Sequence, residues 1–368
     1  MSETQEPGTS NAFRLTGRQW MGVGLFAVAL YVLTPAAWQR VEKLETGPDY
    51  RIPFELNSDY WLWSRVAAQA AATHDTLILG DSVVWGVYVK PAETLSHYLN
   101  ALEGRDRYAN LGVNGKQPLA LAGLVEHYGG AIRGKQVILH CNPLWMSSPK
   151  QDMRESEANG AFNDWELAPQ FSPRIPCYRE STSNRIGKVI DRNIAMHGWT
   201  FHLQYAYFGE SETPRTVPKW TLDHPYENPL KVLTCKLPPP SDELRQEAVP
   251  WSTRIPRENM PWVDLAGSIQ WRSFQRTIEI LEQRGNTVLV VVGPFNEHLL
   301  KDPSRVKYSE VKRGIEDWLK ERKIPYVAPP PLPSEQYGDA SHPLSAGYAL
   351  LAKELVTGGF LAAAEGHK

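Results

Sequence analysis

An α/β fold, a parallel sheet with helices on both faces, is predicted by two features of this 368-residue chain. Short apolar runs of strand length, rich in β-branched residues, alternate with longer stretches of helical periodicity. The runs are continuous instead of polar at every second position, which is the pattern of strands buried on both sides. A third feature, an apolar segment near the N-terminus, adds one membrane-crossing helix to that domain.

Five strands are expected, at 76–80 (TLILG), 108–112 (YANLG), 136–142 (QVILHCN), 286–293 (NTVLVVVG) and 324–329 (IPYVAP). Between them lie helical patterns at 94–102, 118–128, 265–284, 306–323 and 344–356, and Tyr60, Trp61 and Trp63 belong to a helix leading into the first strand. Gly285, just after Arg284, is a usual helix stop. The alternation breaks over 143–264, a Pro- and Trp-rich segment with runs such as LPPPSDE and one plausible helix near 184–197. It reads as an insertion that leaves a strand end and caps the site, because ligands of open α/β sheets bind beyond the carboxyl ends of the strands. The resulting division is a tail at 1–18, an anchor at 19–39, a core in two parts at 40–142 and 265–368, and the insertion between them.

The anchor, QWMGVGLFAVALYVLTPAAWQ, carries no charged residue over 19–39, about the length that crosses ~30 Å of hydrocarbon. Trp20 and Trp38 sit near its ends, and Arg14 and Arg18 before it favour a cytoplasmic N-terminus with the remaining chain outside. A cleaved signal peptide is the competing reading, for which LTPAAWQ offers a poor cleavage site. Net charge is −2 with acids and bases interspersed, so a nucleic-acid partner has no electrostatic support. Of the three cysteines, Cys177 and Cys235 could pair in an oxidising compartment while Cys141 stays single, and three free thiols are the alternative. No metal-ligand cluster or cofactor motif is visible.

The first strand ends in Gly80-Asp81-Ser82. A turn explains these residues when they are taken alone. The alternative is a nucleophilic Ser82, which needs a base, an orienting acid and oxyanion donors. Asp339 and His342 are three apart before a helix, an offset that lets the carboxylate fix the imidazole while its other nitrogen faces a hydroxyl. Gly115 follows the second strand and could offer a backbone N–H; Asn142 ends the third and could offer its amide. Singly these are a helix start, a glycine turn and a loop asparagine.

Together Gly80-Asp81-Ser82 with Gly86, then Gly115, Asn142, and Asp339 with His342 resemble, in order and context, the blocks of the SGNH/GDSL hydrolase superfamily. The likeness covers four short blocks between about 76 and 356 and excludes the anchor and the insertion. It implies a flavodoxin-like three-layer α/β/α fold and a Ser-His-Asp esterase or acyltransferase. Ser82 would be the nucleophile, His342 the base and Asp339 its orienter, with Ser82 N–H, Gly115 N–H and the Asn142 side chain as oxyanion hole. The third block departs from the usual Gly-x-Asn-Asp: here it is His140-Cys141-Asn142-Pro143.

An anchor plus an outward domain of this kind also resembles bacterial envelope proteins that act beside membrane-bound O-acyltransferases. The likeness implies a single-pass inner-membrane protein facing the periplasm or cell exterior, removing or transferring O-acetyl groups on an envelope polysaccharide. Lipase or thioesterase action is the enzymatic alternative, and a silent scaffold or glycan-binding module is the non-enzymatic one. Asp81, His140 and Asn296, near strand ends, are candidate substrate contacts. Trp145, Trp165, Trp199, Trp220, Trp251 and Trp262 either stack on sugars or pack the insertion's own core.

Overall fold

The computed structural model describes residues 15–155, 164–209, 219–237, 244–251 and 256–358. Residues 1–14 of the expected tail, and parts of the Pro- and Trp-rich segment, lie outside them. The five expected strands are present: β1 (Thr76–Leu79), β2 (Tyr108–Asn110), β3 (Gln136–Cys141), β4 (Thr287–Val292) and β5 (Tyr326–Val327). They form one all-parallel sheet in the order β2-β1-β3-β4-β5. Parallel neighbours need crossovers, and helices supply them. The order reverses between β1 and β3, which opens a crevice at the carboxyl ends of those two strands.

Period-two alternation sorts the strand residues into two cores. Ile78, Ile138, Leu289 and Val291 face α4 (Leu95–Glu103) and α11 (Ser345–Thr357). Leu77, Leu79, Val137, Leu139, Val288 and Val290 face the opposite way, toward α2 (Tyr60–Thr73), α5 (Pro118–Tyr128), α9 (Ile269–Gln283) and α10 (Asp302–Glu321). Burial of each such side chain contributes roughly 1.5–3 kcal/mol, which explains why both faces of every strand are apolar. α9 starts at Ile269, later than its periodicity suggests, because Ser268 caps it through Trp271 N–H and the buried Asp152 carboxylate accepts from the N–H groups of Ile269 and Gln270.

N-terminal to the domain, α1 (Gly17–Val41) starts in a capping box formed by Thr16 and Gln19. It is long and apolar enough to cross a membrane, with a mean hydropathy of 1.7 over its most apolar window. Leu25, Phe26, Val32 and Leu33 are all exposed along it. Its C-cap, Glu42, is buried in the domain, where it accepts from Nε2 of the buried His202 at 2.7 Å and also from Arg65 and the Tyr207 hydroxyl. The other ring nitrogen of His202 lies 2.6 Å from Asp59 Oδ2. This cluster fastens α1 to α2 at their junction.

The segment 143–264 departs from a simple cap. Its expected helix is two, α6 (Thr182–Asn193) and α7 (Ala195–Phe208), because Ile194 between them is extended and turns the chain. α7 lies against α1 and α2, and a short α8 (Lys219–Asp223) packs on α7. None of the six tryptophans in this segment is exposed: Trp165 stacks on Tyr178, Trp220 on His224, and Trp262 packs against Phe295 and Tyr308. Trp145 and Trp251 are buried and the other four are half-buried. Cys177 and Cys235 are free, which is the three-thiol alternative. Cys177 packs with Leu119, Ile175 and Tyr178, whereas the Cys235 carbonyl accepts from Lys43 N–H beside the end of α1.

Candidate active site

Ser82 opens α3 (Ser82–Trp85), a single turn at the end of β1 that ends on Gly86 in the left-handed region at φ 91°. Two glycines let this turn sit tightly in the sheet mouth. A Cβ at Gly80 would lie 2.4 Å from Val84 Cγ2, and one at Gly112, after β2, 2.4 Å from Trp85 N. Larger residues would push the Ser82 turn away.

His342 Nε2 lies 2.7 Å from Ser82 Oγ, and His342 Nδ1 lies 2.8 Å from both Asp339 oxygens. The carboxylate accepts a hydrogen bond from Nδ1–H, leaving Nε2 as acceptor for the serine hydroxyl. The Asp-x-x-His spacing works through a turn: Asp339 Oδ1 also accepts from the N–H groups of Ser341 and His342, and Gly338 N–H donates to the His342 carbonyl. Ser82 is 8 % exposed and the His342 side chain 13 %, so both are reachable but mostly enclosed. Burial opposes charge on His342, but the Asp339 carboxylate outweighs it and holds the imidazole above its ordinary value. Burial likewise opposes charge on Asp339, and His342 with the two backbone N–H groups holds its carboxyl below the usual range.

Among the described residues, the backbone N–H groups of Ser82 and Gly115 donate to no protein acceptor. Gly115 sits at φ 74°, a conformation that suits glycine. Asn142, after β3, is buried in the same crevice, but its amide is shared: Nδ2 donates to Asp81 Oδ2 at 2.8 Å, and Oδ1 accepts from Leu144 N–H. One N–H of that amide is thus spent on Asp81.

The three expected substrate contacts are supports instead. Asp81 is buried beside Ser82, where it accepts from Val83 N–H, Asn142 Nδ2 and Trp145 Nε1 and faces His140 Nδ1 at 3.3 Å. Burial alone would raise its pKa, but these partners bring it down to about 2. His140 is buried between Asp81 and the Gly293 carbonyl, to which Nε2 donates at 3.0 Å. Asn296 is 0 % exposed; its N–H donates to the Ala340 carbonyl and its Nδ2 to that of Asp339, so it pins the triad loop to the end of β4.

The roles of two residues went unnoticed in the sequence. The Tyr88 hydroxyl donates to Asp339 Oδ2 at 3.2 Å, while its ring meets His342 edge-on at 5.7 Å. Trp145, singled out in the sequence only as a sugar-stacking or packing candidate, donates to Asp81. Neither lies at a recognisable spacing from its partner. A cavity of about 800 Å³ between α5 and α9 is not lined by Ser82, Asp339 or His342.

A hydroxyl hydrogen-bonded to an imidazole that a carboxylate orients can lose its proton as it attacks an acyl carbon. An N–H group without a protein acceptor, such as that of Ser82, can bind the oxygen that then becomes negative. No protein-family model matches the chain, and no curated protein matches it.

Proposed function

We propose that this protein is a membrane-anchored serine esterase or O-acyltransferase of the SGNH type. The observation that carries the reading is the unbroken chain from Ser82 Oγ through His342 to Asp339 at 2.7 and 2.8 Å. Its placement supports the reading too, since Ser82 and Asn142 follow β1 and β3, the strands that flank the reversal of strand order.

In this reading Ser82 Oγ attacks an ester carbonyl and its proton passes to His342 Nε2. Asp339 balances the imidazolium. The N–H groups of Ser82 and Gly115, with the second N–H of the Asn142 amide, stabilise the oxyanion. The tetrahedral species collapses to acyl-Ser82 as His342 protonates the departing alcohol. Water then completes hydrolysis, or a sugar hydroxyl completes transfer, with His342 again taking the proton. An O-acetylated envelope glycan is the proposed substrate, and a membrane-bound O-acyltransferase the proposed partner.

Acetate release from O-acetylated polysaccharide by the full chain in detergent, beside its Ser82→Ala variant, tests the reading. Release by the wild type alone supports it. Turnover of p-nitrophenyl acetate without release from any glycan would keep the serine chemistry and move the substrate to lipids or thioesters. Equal glycan modification in cells carrying wild type or Ser82→Ala would overturn the enzyme in favour of a scaffold.

A further inference from the structure

α1 does not meet the domain only at its end. Trp38 packs edge-on against Trp199 and Tyr207 of α7, with centroids 5.8 and 6.0 Å apart, and Tyr31, two turns earlier, meets His197 at 6.2 Å. α7 thus runs alongside the last turns of α1, its N-terminal end toward the middle of that helix. Tyr31 lies eight residues before Gln39, the end of the uncharged stretch, a depth of about 12 Å at the helical rise. If that stretch fills the hydrocarbon, whatever touches Tyr31 sits at or below the headgroups.

The α6–α7 corner suits such a place. Ile186 and Ile190, one turn apart on α6, are 47 % and 45 % exposed. The other side of α6 is fastened to the domain: Arg185 donates to the carbonyls of Gln170 and Tyr178, and Arg192 to that of Ala168. The loop held by Arg185 leaves Phe171 58 % exposed. At the corner itself, Asp191 and His197 pair at 2.6 Å, so each of these polar groups has a partner within the protein. An amphipathic helix with its apolar side outward beside a membrane-crossing helix has the geometry of an interfacial helix.

We propose that the α6–α7 corner, led by Ile186 and Ile190, is seated at the boundary between headgroups and acyl chains of the phospholipid bilayer that α1 crosses. The buried Glu42–His202–Asp59 cluster holds α1, α2 and α7 together, so the domain rests on the membrane in one orientation instead of swinging on a tether. The inference depends on α1 crossing the membrane and is independent of the chemistry at Ser82.

The test uses the full chain in phospholipid vesicles, with Cys235→Ser so that the remaining native thiols, Cys141 and Cys177, are buried. An environment-sensitive fluorophore is placed at Ile190→Cys or, for comparison, at Val306→Cys, a position on α10 that is 60 % exposed. Lipids brominated near the headgroup should quench position 190 several-fold more than position 306, with a blue shift at 190 alone. Equal weak quenching at both positions, in chain that resists carbonate extraction, would overturn the proposal. Protection of position 190 that grows with protein concentration but not with brominated lipid would assign the face to a second copy and overturn it as well. Release of the chain by carbonate would remove the anchor and the proposal together.

Discussion

Tyr88 and Asp339, 251 positions apart, are joined by a hydrogen bond from the phenol to Oδ2 of the carboxylate that orients His342. The same ring covers Gly338, where a Cβ would lie 2.8 Å from its Cδ2. Tyr88 therefore holds the Asp339–His342 loop from the Ser82 side of the crevice.

Tyr88→Phe keeps the ring and removes one hydrogen bond. A net loss near 1 kcal/mol corresponds to about fivefold in kcat, with KM little changed. Without the phenol, more of the Asp339 charge falls on His342, so the midpoint of the acid limb of kcat/KM moves up. Tyr88→Ala should cost more, because Gly338 and the edge of His342 lose their cover. Steady-state kinetics across pH on p-nitrophenyl acetate separate these effects from a purely structural role, which would leave the midpoint in place.

The wild-type profile has a sign fixed by the same pair. His342 must be neutral to accept the serine proton, so kcat/KM rises with pH through the His342 pKa, at a midpoint above 6.5 because of Asp339. Asp339→Asn should lower that midpoint and reduce kcat about 10⁴-fold. For stability the direction is opposite: the pair's contribution is fully present below the unfolded histidine pKa and is lost as pH rises through the folded one. Parallel kinetics and urea titrations from pH 5 to 9 check both.

Asp81 governs the acid side. Its folded pKa of about 2, against 3.8 when unperturbed, means a contribution of about 2 kcal/mol that is present above 3.8 and lost as pH falls toward 2. Asp81→Asn should remove a similar amount at neutral pH and flatten the acid limb of the stability curve. Calorimetric unfolding between pH 2 and 7 measures it.

Asn296→Ala deletes the hydrogen bond to the Asp339 carbonyl while the backbone bond to Ala340 remains. The expected cost is about 1 kcal/mol of stability with a larger proportional fall in kcat, as the triad loop loosens before the domain unfolds. Equal changes in a variant at a remote buried position would assign Asn296 a general packing role.

Much of this was legible in the chain because the signals were local. Buried parallel strands read as apolar runs, and all five were found from β1 to the two-residue β5. Ser82 at a strand end and Asp339 three residues before His342 are likewise short-range patterns. What sequence reading missed depends on contacts between distant segments: Tyr88 with Asp339, Trp145 with Asp81, and Asn296 with the triad loop. Asp81, His140 and Asn296 sit at strand ends as expected, but burial turned them into supports. Ile194 breaks a continuous helical pattern because α7 docks on α1 and α2. The free Cys177 and Cys235 show that spacing alone carries no information on whether two thiols meet.

The most direct measurement is intact-mass analysis of the full chain in detergent after exposure to a fluorophosphonate, with peptide mapping and the variants Ser82→Ala and His342→Ala. The account predicts one adduct per chain on Ser82, absent from Ser82→Ala and slowed by orders of magnitude in His342→Ala. A folded wild type that stays unlabelled, or labels equally in His342→Ala, would contradict an activated serine.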